Sequence, residues 1–167
     1  MDPSKRLIFI CILFLSGCET GLDLSSKDEV ERLYSQARPA LENEEYAKAF
    51  PIYRQMISLS TGEIRWKIYL EYCHGLLRAE RFETAINCSN TVIKSNDREL
   101  TRAALEIKLT AEHERYLVLA SSDPEETLLN ELRASLLGTL DEILSKYQIS
   151  ELDTEVQIRI SRIENIR

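Results

Sequence analysis

Glycine and proline are scarce in this chain, five and four among 167 residues. That scarcity excludes a turn-rich β fold and favours long helices. Histidine is scarcer still: His74 and His113 are the only two, and neither has a partner at metal-ligand spacing. Cys73 precedes His74, but adjacent helical residues diverge by about 100°, so the two cannot chelate one ion together. There is no Gly-rich phosphate loop, no G-x-S-x-G and no H-E-x-x-H. Glutamates are plentiful but fall on polar helix faces. Glu42, Glu44 and Glu45 read as a solvated hairpin tip rather than a catalytic carboxylate pair. The chain therefore reads as a non-enzyme that needs no metal or cofactor. Basic stripes are also missing. Formal charge is -7, with both signs mixed along the chain, which disfavours nucleic acid and anionic lipid headgroups as partners.

What is present near the start is one strongly apolar run, nine residues from Leu7 to Leu15. A spanning helix needs roughly 20 residues, so the run is too short for a protein anchor. Its length suits a signal-peptide h-region, and Lys5 and Arg6 supply the positive n-region. The run ends in Leu15-Ser16-Gly17-Cys18, which resembles the lipobox of bacterial lipoproteins. That resemblance implies cleavage after Gly17, loss of Cys11 with residues 1–17, and acylation of Cys18 as the new N-terminus. Glu19 follows, where an Asp would resemble an inner-membrane retention signal. The implied address is the periplasmic face of the outer membrane, or the plasma-membrane outer leaflet in a single-membrane organism.

Residues 18–26 read as a lipidated tether and residues 27–167 as a single helical domain. With 44% apolar residues, that length can bury one sizeable core. Ser26 with Glu29, Ser60 with Glu63, and Asn96 with Glu99 have capping-box spacing. Asp123-Pro124 and Ser150 with Asp153 mark two further starts. Leu100, Ala104, Ile107, Ala111 and Val118 form one helical stripe. Leu128, Leu132, Leu136, Leu140, Ile143 and Tyr147 form another, and Val156, Ile160 and Ile163 a third. The spacing predicts helices at 27–43, 45–59, 63–79, 82–95, 98–120, 124–147 and 151–166, hence an all-α fold. Pro39 and Pro51 should kink or shorten the first two helices.

The chain also repeats itself. At a shift of 36 residues, Leu41 falls on Leu77, Tyr46 on Phe82, Ala49 on Ala85, and Ile57 on Ile93. An aromatic followed three residues later by alanine, at the head of a second helix, resembles the tetratricopeptide repeat. Antiparallel hairpins, capped by the longer C-terminal helices, are what that family implies. The first helix of each hairpin would line a groove, placing Glu31, Tyr34, Arg38, Leu41 and Glu42 in one wall. Lys67, Leu70, His74, Leu77 and Arg78 fall at the matching positions of the second hairpin; Leu70 and Leu77 read equally well as plain core. Cys73 and Cys88 lie level across that second hairpin. They read either as a disulfide or as two small buried thiols, because Cys88 sits one position from the inward-facing slot.

The two resemblances imply a lipid-anchored scaffold or adaptor that grips a short peptide segment or helix of an envelope protein. Assembly of an outer-membrane, secretion or pilus complex is the implied setting. An inhibitor or immunity-type lipoprotein, and an envelope enzyme without a recognised motif, are the alternative readings.

Overall fold

The computed structural model describes residues 24–166, with side chains from residue 27. Every regular element among them is helical, so the fold is all-α. The helices are α1 (Leu24–Glu42), α2 (Tyr46–Leu59), α3 (Gly62–Arg78), α4 (Phe82–Val92), α5 (Arg98–Ala120), α6 (Glu126–Lys146) and α7 (Thr154–Glu164). Short 3₁₀ turns, Ile93–Ser95 and Ile149–Glu151, follow α4 and precede α7. α1 begins at Leu24, a few residues before the helix start expected at 27, so Ser26 lies inside a helix rather than capping one.

Connections of a few residues fold each even-numbered helix back on the odd-numbered one before it. The first two turns are built alike, 36 residues apart. In one, Glu45 N–H donates to Ala40 O (2.8 Å) and Glu44 N–H to Leu41 O (3.1 Å). In the other, Arg81 N–H donates to Leu76 O (2.9 Å) and Glu80 N–H to Leu77 O (3.0 Å). This is the paired bonding that closes a helix when the next residue is left-handed. Glu44 (φ 61°) and Glu80 (φ 56°) hold that left-handed position in place of the usual glycine.

Both prolines were accommodated without shortening either helix: α1 runs through Pro39 and α2 through Pro51. Each is exposed, so the carbonyls that lose an N–H partner can turn to water. The N-caps also differ from expectation. Ser60 Oγ donates to Met56 O (2.7 Å), which closes α2 instead of opening α3. Asn96 is left-handed, and Asp97 caps α5 by accepting from Leu100 N–H (2.8 Å). Asp123 is also left-handed, and α6 starts after Glu125. Ser150 lies inside the second 3₁₀ turn, and Asp153 caps α7 in its place, accepting from Glu155 N–H (2.8 Å).

α5 is the shared wall between two apolar clusters. Leu100, Ala104, Ile107 and Ala111 pack with α1–α4. Leu105 and Leu109, on its other side, pack with Leu136, Leu140 and Ile143 of α6 and with Val156, Ile160 and Ile163 of α7. Two ends of the expected stripes are not core: Val118 and Leu128 face solvent. Where α1 and α3 cross, Gly75 lets the helices approach, since a β-carbon there would lie 2.7 Å from Leu41 Cδ1.

Candidate functional site

The odd-numbered helices share one face, and three cavities open between them. The largest, about 550 Å³, lies among α3, α5 and α7. Leu70, Leu77, Ile107 and Val156 give it apolar walls, and Glu106, Thr110 and Arg159 bring polar groups to it. A second cavity of about 410 Å³ lies between the N-terminal halves of α1 and α3, bordered by Glu31, Tyr34, Ile64 and Lys67. A third of about 230 Å³ lies between their C-terminal halves, bordered by Arg38, Glu42, His74 and Arg78. Glu71 borders all three.

Glu71 is held in place from three sides. Its Oε1 accepts from Tyr34 Oη–H (2.8 Å) and from Arg38 Nη1 (3.2 Å). Its Oε2 accepts from Tyr53 Oη–H (2.9 Å), a side chain of α2 with no exposed surface. Arg38 also donates from Nε to Glu42 (2.8 Å), so its guanidinium is fixed across the helix surface. His74 stands exposed on the rim. Neighbouring walls nevertheless crowd its ring, and that partial desolvation, followed by the Arg78 guanidinium, lowers its pKa below the usual imidazole value.

At the other wall, α7 is pinned to α5 by charged groups as well as by apolar packing. Arg159 Nη1 donates to Glu114 Oε1 (2.6 Å) and to His113 Nδ1 (2.8 Å). Glu106 Oε1 accepts from Arg102 Nη1 (2.9 Å) and from Asp153 N–H (3.3 Å). Deeper between α5 and α6, Glu112 is 5% exposed, and its Oε1 accepts from Ser135 Oγ–H (2.8 Å). Burial drives its pKa up, against the hydrogen bonds from Thr139 and Ser135.

All ten expected groove residues border one of the three cavities. They differ in accessibility. Leu41 is 7% exposed and packs beneath Gly75, so it belongs to the core more than to a binding wall. Leu70 and Leu77 do both jobs, bordering the largest cavity while resting on the core. Cys73 and Cys88 are joined by a disulfide, with Cα atoms 5.4 Å apart. Cys88 is buried, so the one-position offset from the inward slot did not turn it away from α3. Cys18, Cys11 and the lipobox lie outside the described residues.

Glu71, Glu106, Thr110 and Arg159 are the site residues that sequence reasoning missed. Tyr34 and Glu71 are 37 residues apart, and His113 and Arg159 are 46 apart, so no local pattern joins them. Among the described residues no three His, Cys, Asp or Glu side chains converge as metal ligands, and no helix is long and apolar enough to cross a membrane. The arrangement sets apolar walls beside a few polar groups that are fixed by hydrogen bonds from neighbouring helices. No protein-family model, curated protein or solved structure matches the chain.

Proposed function

We propose that the chain is a lipid-anchored scaffold or adaptor of the bacterial envelope, holding a short segment of a partner protein between its odd-numbered helices. The observation that carries this reading is the 550 Å³ cavity among α3, α5 and α7. Apolar walls beside a few fixed polar groups suit side-chain anchors with hydrogen bonds for register. The anchor rests on Leu15-Ser16-Gly17-Cys18 and the charged and apolar residues before it. By that reading Cys18 carries acyl chains at the periplasmic face of the outer membrane, and the setting is assembly of an outer-membrane, secretion or pilus complex.

The test is a crosslinking pull-down from membranes, comparing the native protein with His74→Asp/Thr110→Arg, which places charge and bulk inside the groove. A partner present with the native chain and missing from the folded variant supports the adaptor. An unchanged partner list removes the groove from the account. Acylation is tested separately: Cys18→Ala should move the protein from the membrane to the soluble fraction.

A further inference from the structure

Away from the groove, the usual burial pattern breaks where α5 gives way to α6. Three of the six large apolar side chains exposed among the described residues gather there: Leu117 (45%), Val118 (60%) and Leu128 (41%). Hairpin length explains it. α5 and α6 have 23 and 21 residues, whereas α3 and α4 have 17 and 11. The last turns of the long hairpin therefore run beyond the α3–α4 turn that would have covered them. Between Phe82, at the head of α4, and this overhang opens an apolar slot of about 220 Å³, walled by Val118, Leu119, Leu128 and Leu132.

One cation, Arg115, lines the slot, whereas the segment that joins α5 to α6 beyond it carries charge of one sign. From Tyr116 to Leu132 there is no Lys, Arg or His, while Asp123, Glu125, Glu126 and Glu131 all occur. All four carboxylates are exposed, and none joins an ion pair among the described residues. Arg115, at the slot's edge, is already taken by Glu83 (2.6 Å). Exposed apolar patches of this kind mark interaction sites, and the unpaired carboxylates select for positive charge while repelling anionic lipid.

We propose that this overhang is a second docking surface, for an amphipathic protein segment that puts one apolar side chain into the slot and lysines or arginines against the acidic rim. It is independent of the groove. The tip also lies at the end opposite Leu24, since the α1–α2 and α3–α4 turns share its end of the helices. A partner could therefore engage it without crossing the chain's N-terminal side.

The test uses the purified full-length chain and two synthetic 15-residue amphipathic peptides with identical leucines, one bearing lysines and the other glutamates. Each carries one photoreactive leucine. The lysine peptide should bind at least tenfold more tightly and crosslink to residues 117–132. Val118→Asp, at a position 60% exposed, should weaken it at least tenfold without lowering the melting temperature. Glu125→Lys/Glu126→Lys should reverse the preference, and this exposed pair carries the test should Val118→Asp disturb folding. Equal binding of both peptides, crosslinks confined to the groove, or a charge-reversed variant that still prefers lysine would each overturn the proposal. The groove reading survives or fails on its own pull-down.

Discussion

Arg159 of α7 donates from Nη1 to Nδ1 of the buried His113 on α5, at 2.8 Å. The bond requires a neutral imidazole, because a protonated ring has no acceptor nitrogen. Burial first, then the Arg159 cation, hold the His113 pKa below the usual value of 6.5; Glu114 pulls the other way, and Arg162 adds a smaller push downward. The unfolded chain therefore binds a proton that the folded chain refuses. Stability should be full above the unfolded pKa and fall as pH drops through about 6.5. His113→Gln keeps an acceptor without a titration, so its melting temperature should lose that step between pH 7.5 and 5.5. Parallel curves for variant and native protein would refute the assignment.

Glu112 should act in the opposite sense. Its pKa is raised by burial between α5 and α6, so the folded state holds a proton that the unfolded state has released. Stability from this group is full below the ordinary carboxyl value of 4.5 and is lost as pH rises through the higher folded value. Glu112→Gln removes the buried charge. It should be more stable than the native chain at pH 7 by about 1 kcal/mol, and the difference should shrink toward pH 4. Urea unfolding at the two pH values measures both.

The disulfide between Cys73 and Cys88 closes a 15-residue loop across α3 and α4. In the chain-entropy account such a loop is worth about 3 kcal/mol. Cys73→Ala/Cys88→Ala should lose roughly that amount, and reductant should destabilise the native chain but leave the variant unmoved. Mass spectrometry of alkylated protein gives the redox state directly.

How much of this was legible in the sequence depends on the range of each interaction. The 3.6-residue period of Leu136, Leu140 and Ile143 announces α6, and all three are buried in the core. The 36-residue shift anticipates the matched turns at Glu44 and Glu80, because both depend on neighbours within five residues. The caps were harder to read. Ser60 has the right spacing to Glu63, but its hydroxyl is captured by Met56 O of the preceding helix. Glu71 and Arg159 gave no signal, since their partners arrive from other helices. Val118 and Leu128 fit their stripes perfectly well, yet they lie bare because the neighbouring hairpin is shorter, which no local pattern reports.

Glu80 holds a left-handed conformation (φ 56°) that an L side chain adopts at a cost of about 1–2 kcal/mol. Part of that cost disappears in Glu80→Gly, set against the greater freedom glycine gives the unfolded chain. The variant should gain about 0.5–1 kcal/mol on balance. Glu80→Val, β-branched at the same angle, should be less stable than the native chain. Chemical denaturation of the pair checks the sign of each change.

Glu71 ties α1, α2 and α3 together through Tyr34, Arg38 and Tyr53. Tyr34 and Arg38 are partly open to water and can exchange the carboxylate for solvent. Tyr53 cannot, being fully buried. Glu71→Ala should therefore cost about 2 kcal/mol, mostly the penalty of leaving the Tyr53 hydroxyl without an acceptor. Tyr53→Phe in the Glu71→Ala background should recover part of that loss, although alone it removes a hydrogen bond. The coupling between the two positions, measured as a double-mutant cycle in urea, should exceed 0.5 kcal/mol. The Tyr53 phenol supplies a second readout. Burial, followed by the Glu71 charge, raises its pKa above that of a free phenol. Stability should hold below about pH 10, the free-phenol value, and fall as pH rises past it toward the higher folded pKa. In Glu71→Ala the carboxylate's share of that shift vanishes, and Tyr53 should ionise at lower pH in an ultraviolet titration. Additive mutations with an unmoved titration would mean that Glu71 is a surface carboxylate with no part in holding the groove.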